Sequence, residues 1–172
     1  MKRATSFSME RDSSLTLVGQ VTLTFSDRFR RRIRLSMDTG EVFMLDLAAV
    51  TQLSDGGFLT LAQGQAQIAV CAAVEEVLDV RTEEPGRLVR WAWHLGNRHL
   101  PVQFLGGEGL RVAWDPVIAE MLRGLGATPE RCQATFAPEG GAYGGGPTYG
   151  HTHHSHSDGY SDGQSDGHSH EH

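Results

Sequence analysis

Seven of the nine histidines in this chain fall in its last 22 positions: His151, His153, His154, His156, His168, His170 and His172. Imidazole suits divalent nickel, copper, zinc and cobalt, and a flexible strand lets several rings converge on one ion. Histidines two residues apart can chelate in an extended chain. Asp158, Asp162, Asp166 and Glu171 stand among them as supplementary oxygen donors. Cysteine and methionine are absent from this stretch. That disfavours Cu(I) and structural zinc of the cysteine type, but histidines alone do not choose among the divalent ions. The tract is broken by Thr, Ser, Asp and Gly, unlike an uninterrupted purification tag. Ser-Asp-Gly repeats at 157–159, 161–163 and 165–167. The spacing matches neither an EF-hand loop nor the glycine-rich β-helix nonapeptide, so the triplets read as a hydrated spacer.

The other two histidines, His94 and His99, share one segment. His94 lies three residues after Trp91, at the edge of an apolar helical face, and reads as partly buried with a backbone hydrogen bond. His99 lies past the expected helix stop and before Pro101, where a loop leaves the ring free to coordinate. A single imidazole cannot hold a metal, so His99 needs a symmetry mate or the tail. In a two-fold dimer a residue near the axis is automatically doubled. No GxSxG elbow, HExxH helix or GxxxxGK[ST] phosphate loop occurs, and the sequence reads as a binding protein, not an enzyme.

The elements that position these residues follow from periodicity. Leu15, Leu17, Val21, Leu23 and Phe25 alternate with polar positions, and the slip at Val18 predicts a bulge or bend. Arg31–Met37 and Glu41–Leu47 around Asp38-Thr39-Gly40 predict a hairpin. Ser54-Asp55-Gly56-Gly57 is a turn before Phe58–Leu61, and Gln67–Val70 is one more strand. Val77–Val80 is a strand. Thr82 is a candidate cap for a helix with Glu83, Glu84 and Pro85 in its first turn. Leu88, Trp91, Ala92 and Leu95 form its buried stripe, and Gly96-Asn97 supplies a left-handed stop. Pro101–Leu105 and Leu110–Trp114 are strands around a Gly-rich turn. Asp115-Pro116 opens a helix whose apolar face is Val117, Ile118, Met121, Leu122 and Leu125, ended by Gly126. Gln133–Phe136 is a last strand.

The expectation is an α+β chain in three parts. Residues 1–74 form a small β-rich N-terminal domain for partner or peptide binding. Residues 75–139 form a βαββαβ, ferredoxin-like metal-binding domain. Residues 140–172 form a disordered Gly/His-rich metal-binding tail.

A formal charge of −6 gives no reason to expect nucleic acid or anionic membrane as partner. The strands also lack the aromatic pattern of an RNA-binding RRM sheet. No run of about 18 apolar residues is present, and the start Met1-Lys2-Arg3 has no apolar segment after it. Cys71 and Cys132 form no CxxC pair and read as small buried hydrophobes. These features together predict a cytoplasmic protein. Arg28, Arg30, Arg31, Arg32 and Arg34 form a basic run that reads as a solvated face, with an acidic protein partner as the functional alternative.

Three segments resemble the urease accessory protein E family, the nickel chaperones of urease. They are Trp93-His94-Leu95-Gly96-Asn97-Arg98-His99-Leu100-Pro101-Val102-Gln103, Met121–Ala127, and Pro138-Glu139-Gly140-Gly141-Ala142-Tyr143. Arg30–Leu35 and Asp46-Leu47 resemble the family's N-terminal domain, and the His-rich end is similar. The resemblance implies Ni²⁺ as cargo, with Zn²⁺ or Cu²⁺ as competitors, and a homodimer in which His99 binds nickel with its mate while the tail adds ligands. It implies transfer to the urease accessory GTPase and the urease apoprotein–accessory complex, with any GTP hydrolysis belonging to that partner. Some relatives carry histidines beside the aspartate corresponding to Asp115 and form peripheral metal sites there. Trp114 and Pro116 cannot ligate, so those sites do not carry over. The alternative function is general divalent-metal storage or detoxification, which would need only the tail.

Overall fold

The computed structural model describes residues 1–140. The seven histidines of 151–172, and the expectation that the segment around them is disordered, lie outside the described residues.

The described residues are sheet-rich, with two sheets and two α-helices. Six strands build the first sheet: β1 (Lys2–Ser8), β2 (Thr16–Leu23), β3 (Phe29–Ser36), β4 (Val42–Gln52), β5 (Phe58–Leu61) and β6 (Ala66–Ala72), in the order β2-β6-β5-β1-β4-β3. β1 runs parallel to β4 and β2 parallel to β6, and the other neighbours are antiparallel. The inward positions Val21, Phe43, Leu45, Leu59, Ile68 and Val70 are fully buried together. Each such side chain contributes about 1.5–3 kcal/mol on burial. The slip at Val18 is a real irregularity, since the β2–β6 register jumps between Leu17 and Gly19. The β3–β4 hairpin forms where expected, with Gly40 at φ 88° in its turn. Gly56, at φ 77°, makes the turn before β5. β4 runs on beyond the expected Leu47, through Gln52. β1 carried no sequence expectation at all, yet it lies mid-sheet between β5 and β4.

The second sheet contains β7 (Val74–Arg81), β8 (Gln103–Phe104), β9 (Gly109–Ala113) and β10 (Glu130–Thr135), ordered β10-β7-β9-β8 with every neighbouring pair antiparallel. α1 (Pro85–Gly96) follows β7, and α2 (Pro116–Gly124) follows β9. Leu78, Val80, Leu110 and Val112 of the sheet pack with Trp91 and Leu95 of α1 and Ile118 and Leu122 of α2. The Trp91 indole N–H donates to the Leu125 carbonyl at 3.3 Å, tying α1 to the end of α2.

Several elements depart from expectation. Glu84, not Thr82, is the N-cap of α1, with Pro85 in the first position. Thr82 instead accepts from the Glu84 amide at 3.1 Å, bending the chain into the helix. Val117 is 73% exposed rather than on the apolar face, because the α2 contact runs through Ile118, Ala119 and Leu122. β8 keeps two residues of the expected Pro101–Leu105, and a 3-10 turn occupies 106–108. The last strand starts at Glu130, three residues early. Asp115 caps α2 as expected, its Oδ1 accepting from Val117 and Ile118 amides at 2.7 and 3.1 Å. No helix among the described residues is long and apolar enough to cross a membrane.

Candidate metal centre

The apolar stripe of α1 ends at Leu95, and how the chain leaves that helix decides where His99 stands. The His99 amide donates to the Gly96 carbonyl at 2.8 Å and the Leu100 amide to the Leu95 carbonyl at 3.4 Å. This pair of bonds is a Schellman motif, with the residue just past the helix in the left-handed region. That residue is His99, at φ 56°, the one non-glycine with positive φ among the described residues. The helix ends at Gly96 with Asn97 as its C-cap, where the stop was expected, but Asn97 stays right-handed at φ −63° and the left-handed residue is His99. Leu100, partly buried on the same cluster as Leu95, supplies the apolar contact that accompanies the motif.

α2 ends the same way. The Gly126 amide reaches the Arg123 carbonyl at 2.9 Å and the Ala127 amide reaches Leu122 at 3.0 Å, with Gly126 at φ 79°. The same motif thus takes glycine after α2 and histidine after α1. Left-handed backbone at a residue with a side chain costs on the order of 1 kcal/mol. His99 carries that strain and is exposed, so its ring is fixed at the root and free at the tip.

His94, half-buried, is on the last turn of α1, its ring edge-on to Trp93 at 4.9 Å between centroids. The Arg98 guanidinium donates to the His94 carbonyl at 3.1 Å and satisfies an open acceptor of the helix end. Among the described residues no three His, Cys, Asp or Glu side chains come together. Other ligands for an ion at His99 therefore have to come from a second copy or from beyond residue 140. At the peripheral position, Trp114 is covered by the Arg131 guanidinium, 4.5 Å from the ring centroid. Asp115 is engaged in capping α2.

Sequence reading missed how the chain beyond β10 is held. β10 and β8 are opposite edges of the second sheet, roughly 14 Å apart at normal strand spacing. Between Thr135 and Glu139 the chain crosses from one to the other. Arg111 of β9 donates to the Thr135 carbonyl at 3.0 Å. The Ala137 amide donates to Gln103 Oε1 of β8 at 2.9 Å, and the Glu139 amide to the Val102 carbonyl at 2.9 Å. Phe136 is buried, with its ring edge-on to Phe25 at 5.1 Å and its carbonyl accepting from Arg28. Arg28 is therefore not part of a solvated basic face. It is 1% exposed, and burial pushes its pKa down, with Glu75 and Asp55 opposing. Arg111 is held in turn by Asp79 through two bonds of 2.7 and 2.9 Å. The strap thus meets the chain at Val102, three residues after His99 in sequence and just before β8.

Both halves of the chain match models of one family. Residues 12–73 match the N-terminal domain of the UreE urease accessory protein, and residues 75–172 match its C-terminal domain. The chain belongs to the UreE family of urease accessory proteins. It is similar to urease accessory protein UreE of Cupriavidus necator, 46% identical over 132 residues, which is 77% of this chain and 68% of the relative. The UreE of a Bradyrhizobium strain is 46% identical over 136 residues, 79% of this chain and 65% of the relative. That of Rhodopseudomonas palustris strain HaA2 is 49% identical over 123 residues, 72% and 56%. The matched stretch thus spans about two thirds or less of these relatives' own length. The family named from the Gly96-Asn97-Arg98-His99 and Glu139–Tyr143 segments is the right one, and UreE proteins are accessory proteins of urease, not enzymes.

Proposed function

We propose that this chain is a nickel metallochaperone that carries Ni²⁺ to the urease metallocentre during assembly. The observation that carries the reading is His99, an exposed imidazole held at a left-handed helix end where glycine would be less strained. Residues kept at such a local cost cluster at functional sites. In this proposal two His99 side chains of a homodimer hold one ion. His151, His153, His154, His156, His168, His170 and His172 add ligands and capacity. The strap supports that division of labour. It fixes Glu139 beside Val102, and His151 follows twelve residues later in sequence, a reach of up to about 40 Å. Zn²⁺ and Cu²⁺ compete for the same imidazoles.

The same proposal divides the chain into a β-rich domain at 1–74, a metal-binding domain at 75–139 and a tail at 140–172. The separate apolar clusters of the two sheets support it. The ferredoxin-like class for the middle part is supported by the order βαββαβ and the antiparallel strand order β10-β7-β9-β8. Cytoplasmic work suits the unpaired thiols of Cys71 and Cys132. The receiving partners are the urease accessory GTPase and the urease apoprotein–accessory complex. Storage or detoxification is the competing reading, but it gives His99 no role.

The test is activation of apo-urease by its accessory complex at limiting nickel, with and without this protein. Delivery predicts faster activation that depends on His99. Activation that is the same with the protein, without it, or with a free His-rich peptide at equal nickel would leave storage as the function.

A further inference from the structure

The outer face of the first sheet carries positive charge out of keeping with a chain of net −6. Arg34 of β3, Met44 of β4 and Arg3 of β1 stand in one row, and Arg32 stands opposite Asp46. Directly opposed residues share a face. Asp46 is 3.3 Å from Arg3 and 3.6 Å from Arg32, and Asp27 is 3.6 Å from Arg30. Arg31 and Arg34, both exposed, make no ion pair among the described residues.

A second feature adjoins these arginines. Arg30 is paired with Thr51 and Arg32 with Asp46, so Leu47 to Val50 of β4 stand against Arg31 alone. Leu47 turns inward, while Ala48, Ala49 and Val50 turn out, and Val50 is 52% exposed. The Arg31 Nε–H spans the gap to the Leu47 carbonyl at 3.3 Å, and Thr51 Oγ1 donates to the Ala49 carbonyl at 3.1 Å. The result is a braced apolar knuckle flanked on β3 by Arg30, Arg31 and Arg32. β3 is also the last strand of its sheet, so its outer backbone groups have no strand partner among the described residues.

Arginines on an edge strand discourage pairing with a like edge. That explains Arg32 and Arg34 but gives no reason to expose three apolar residues beside Arg31, between the partners of Arg30 and Arg32. Nor does the face suit a single-stranded nucleic acid. The exposed aromatic rings among the described residues, Trp93 and Phe104, belong to the second half of the fold, and base stacking needs such rings. A second copy of this face would be repelled by its own charge. From these observations we infer that the β3 edge and the Ala48–Val50 knuckle dock a protein partner presenting an apolar pocket rimmed by carboxylates. The inference rests on the proposed function for placing that partner within urease assembly: the accessory GTPase or the apoprotein–accessory complex.

The full chain is titrated against each purified partner, as wild type, as the double reversal Arg32→Glu with Arg34→Glu, and as Val50→Asp. All three are surface changes; thermal melts of the same samples report the fold, and nickel affinity reports the metal site. Docking predicts that one partner loses about tenfold or more in affinity with both variants. It also predicts that wild-type binding weakens between about 0.05 and 0.5 M salt and that nickel affinity is unchanged. Unchanged affinity for both partners, or no binding of either by the wild type, overturns the inference. So does tight binding of a single-stranded RNA that the same reversal abolishes. Loss of nickel binding by the wild type would instead overturn the proposed function, so the two failures are separable.

Discussion

The His99 amide closes onto the Gly96 carbonyl at 2.8 Å, and that bond holds His99 at φ 56°. The residue proposed to bind metal is therefore the one that terminates its own helix. A ligand on a free loop would have to be ordered by the ion. Here the backbone is ordered beforehand by two main-chain hydrogen bonds and by Leu100 packed with Leu95, which lowers the ordering entropy left for binding to supply.

Strain and function part company at this position. His99→Gly relieves the left-handed backbone and is expected to stabilise the metal-free protein by about 0.5–1 kcal/mol, a rise in melting temperature of roughly 1–4 °C. His99→Ala keeps the strain and should be near neutral. Both should abolish the tightest nickel site. Calorimetry with nickel on all three proteins, paired with thermal melts, checks this. A His99→Gly protein that is less stable than wild type would show that the ring itself supports the fold.

The strap gives a second prediction. Asp79 is buried and receives two hydrogen bonds from Arg111. That bond with Asp79 is also the main reason the Arg111 pKa is raised. Asp79→Asn leaves a largely buried guanidinium without its counter-charge, expected to cost about 3 kcal/mol. Replacing both, as Asp79→Leu with Arg111→Met, should recover most of that loss. Chemical denaturation of the three variants measures it, and a double variant no better than Asp79→Asn would contradict the ion-pair account.

Which parts were legible in the sequence follows from where each signal lies. The Val18 irregularity and the turn at Asp38-Thr39-Gly40 are local and were readable, because a period of two exposes every slip. β1 was not readable. Only Ala4 of Lys2–Ser8 is fully buried, and its neighbours are polar, so no alternation stands out. The end of α1 at Gly96-Asn97 was readable, but its left-handed residue was misassigned because Gly and Asn are the usual left-handed residues, and a histidine doing their work gives no signal. Arg28 was counted with a basic run because its burial is decided by Phe136, 108 residues away. The strap bonds of Gln103 and Arg111 are likewise tertiary. Of the candidate ligands, His99 could be placed, and the seven beyond 150 lie outside the described residues.

Capacity and fold should separate on truncation. Residues 147–172 offer no apolar face and the strap ends at Glu139, so removing them should leave the melting temperature of the metal-free protein within about 1–2 °C. Nickel stoichiometry should fall by the ions the tail histidines hold, while a site at His99 remains. A large drop in melting temperature after truncation would mean the segment packs on the core.

The acid side of stability should carry a contribution from Asp38. Its carboxylate receives the Gln20 side-chain amide at 2.8 Å, the Thr22 hydroxyl at 2.7 Å and the Thr22 backbone N–H at 3.0 Å, tying β2 to the β3–β4 turn. The Gln20 and Thr22 side-chain bonds, ahead of the backbone bond, hold its pKa below the usual carboxylate value. A carboxylate with a depressed folded pKa adds stability that is fully present above its unfolded value, about 3.9, and is lost as pH falls through the lower folded value. The group is exposed, so solvent screening keeps the contribution to a few tenths of a kcal/mol. Asp38→Asn keeps one acceptor oxygen but removes the charge. Denaturation midpoints of wild type and variant should therefore differ above about pH 5 and converge as pH falls through the depressed folded value. A gap that stays constant across that range would show that Asp38 acts as a neutral hydrogen-bond acceptor, with its charge contributing nothing.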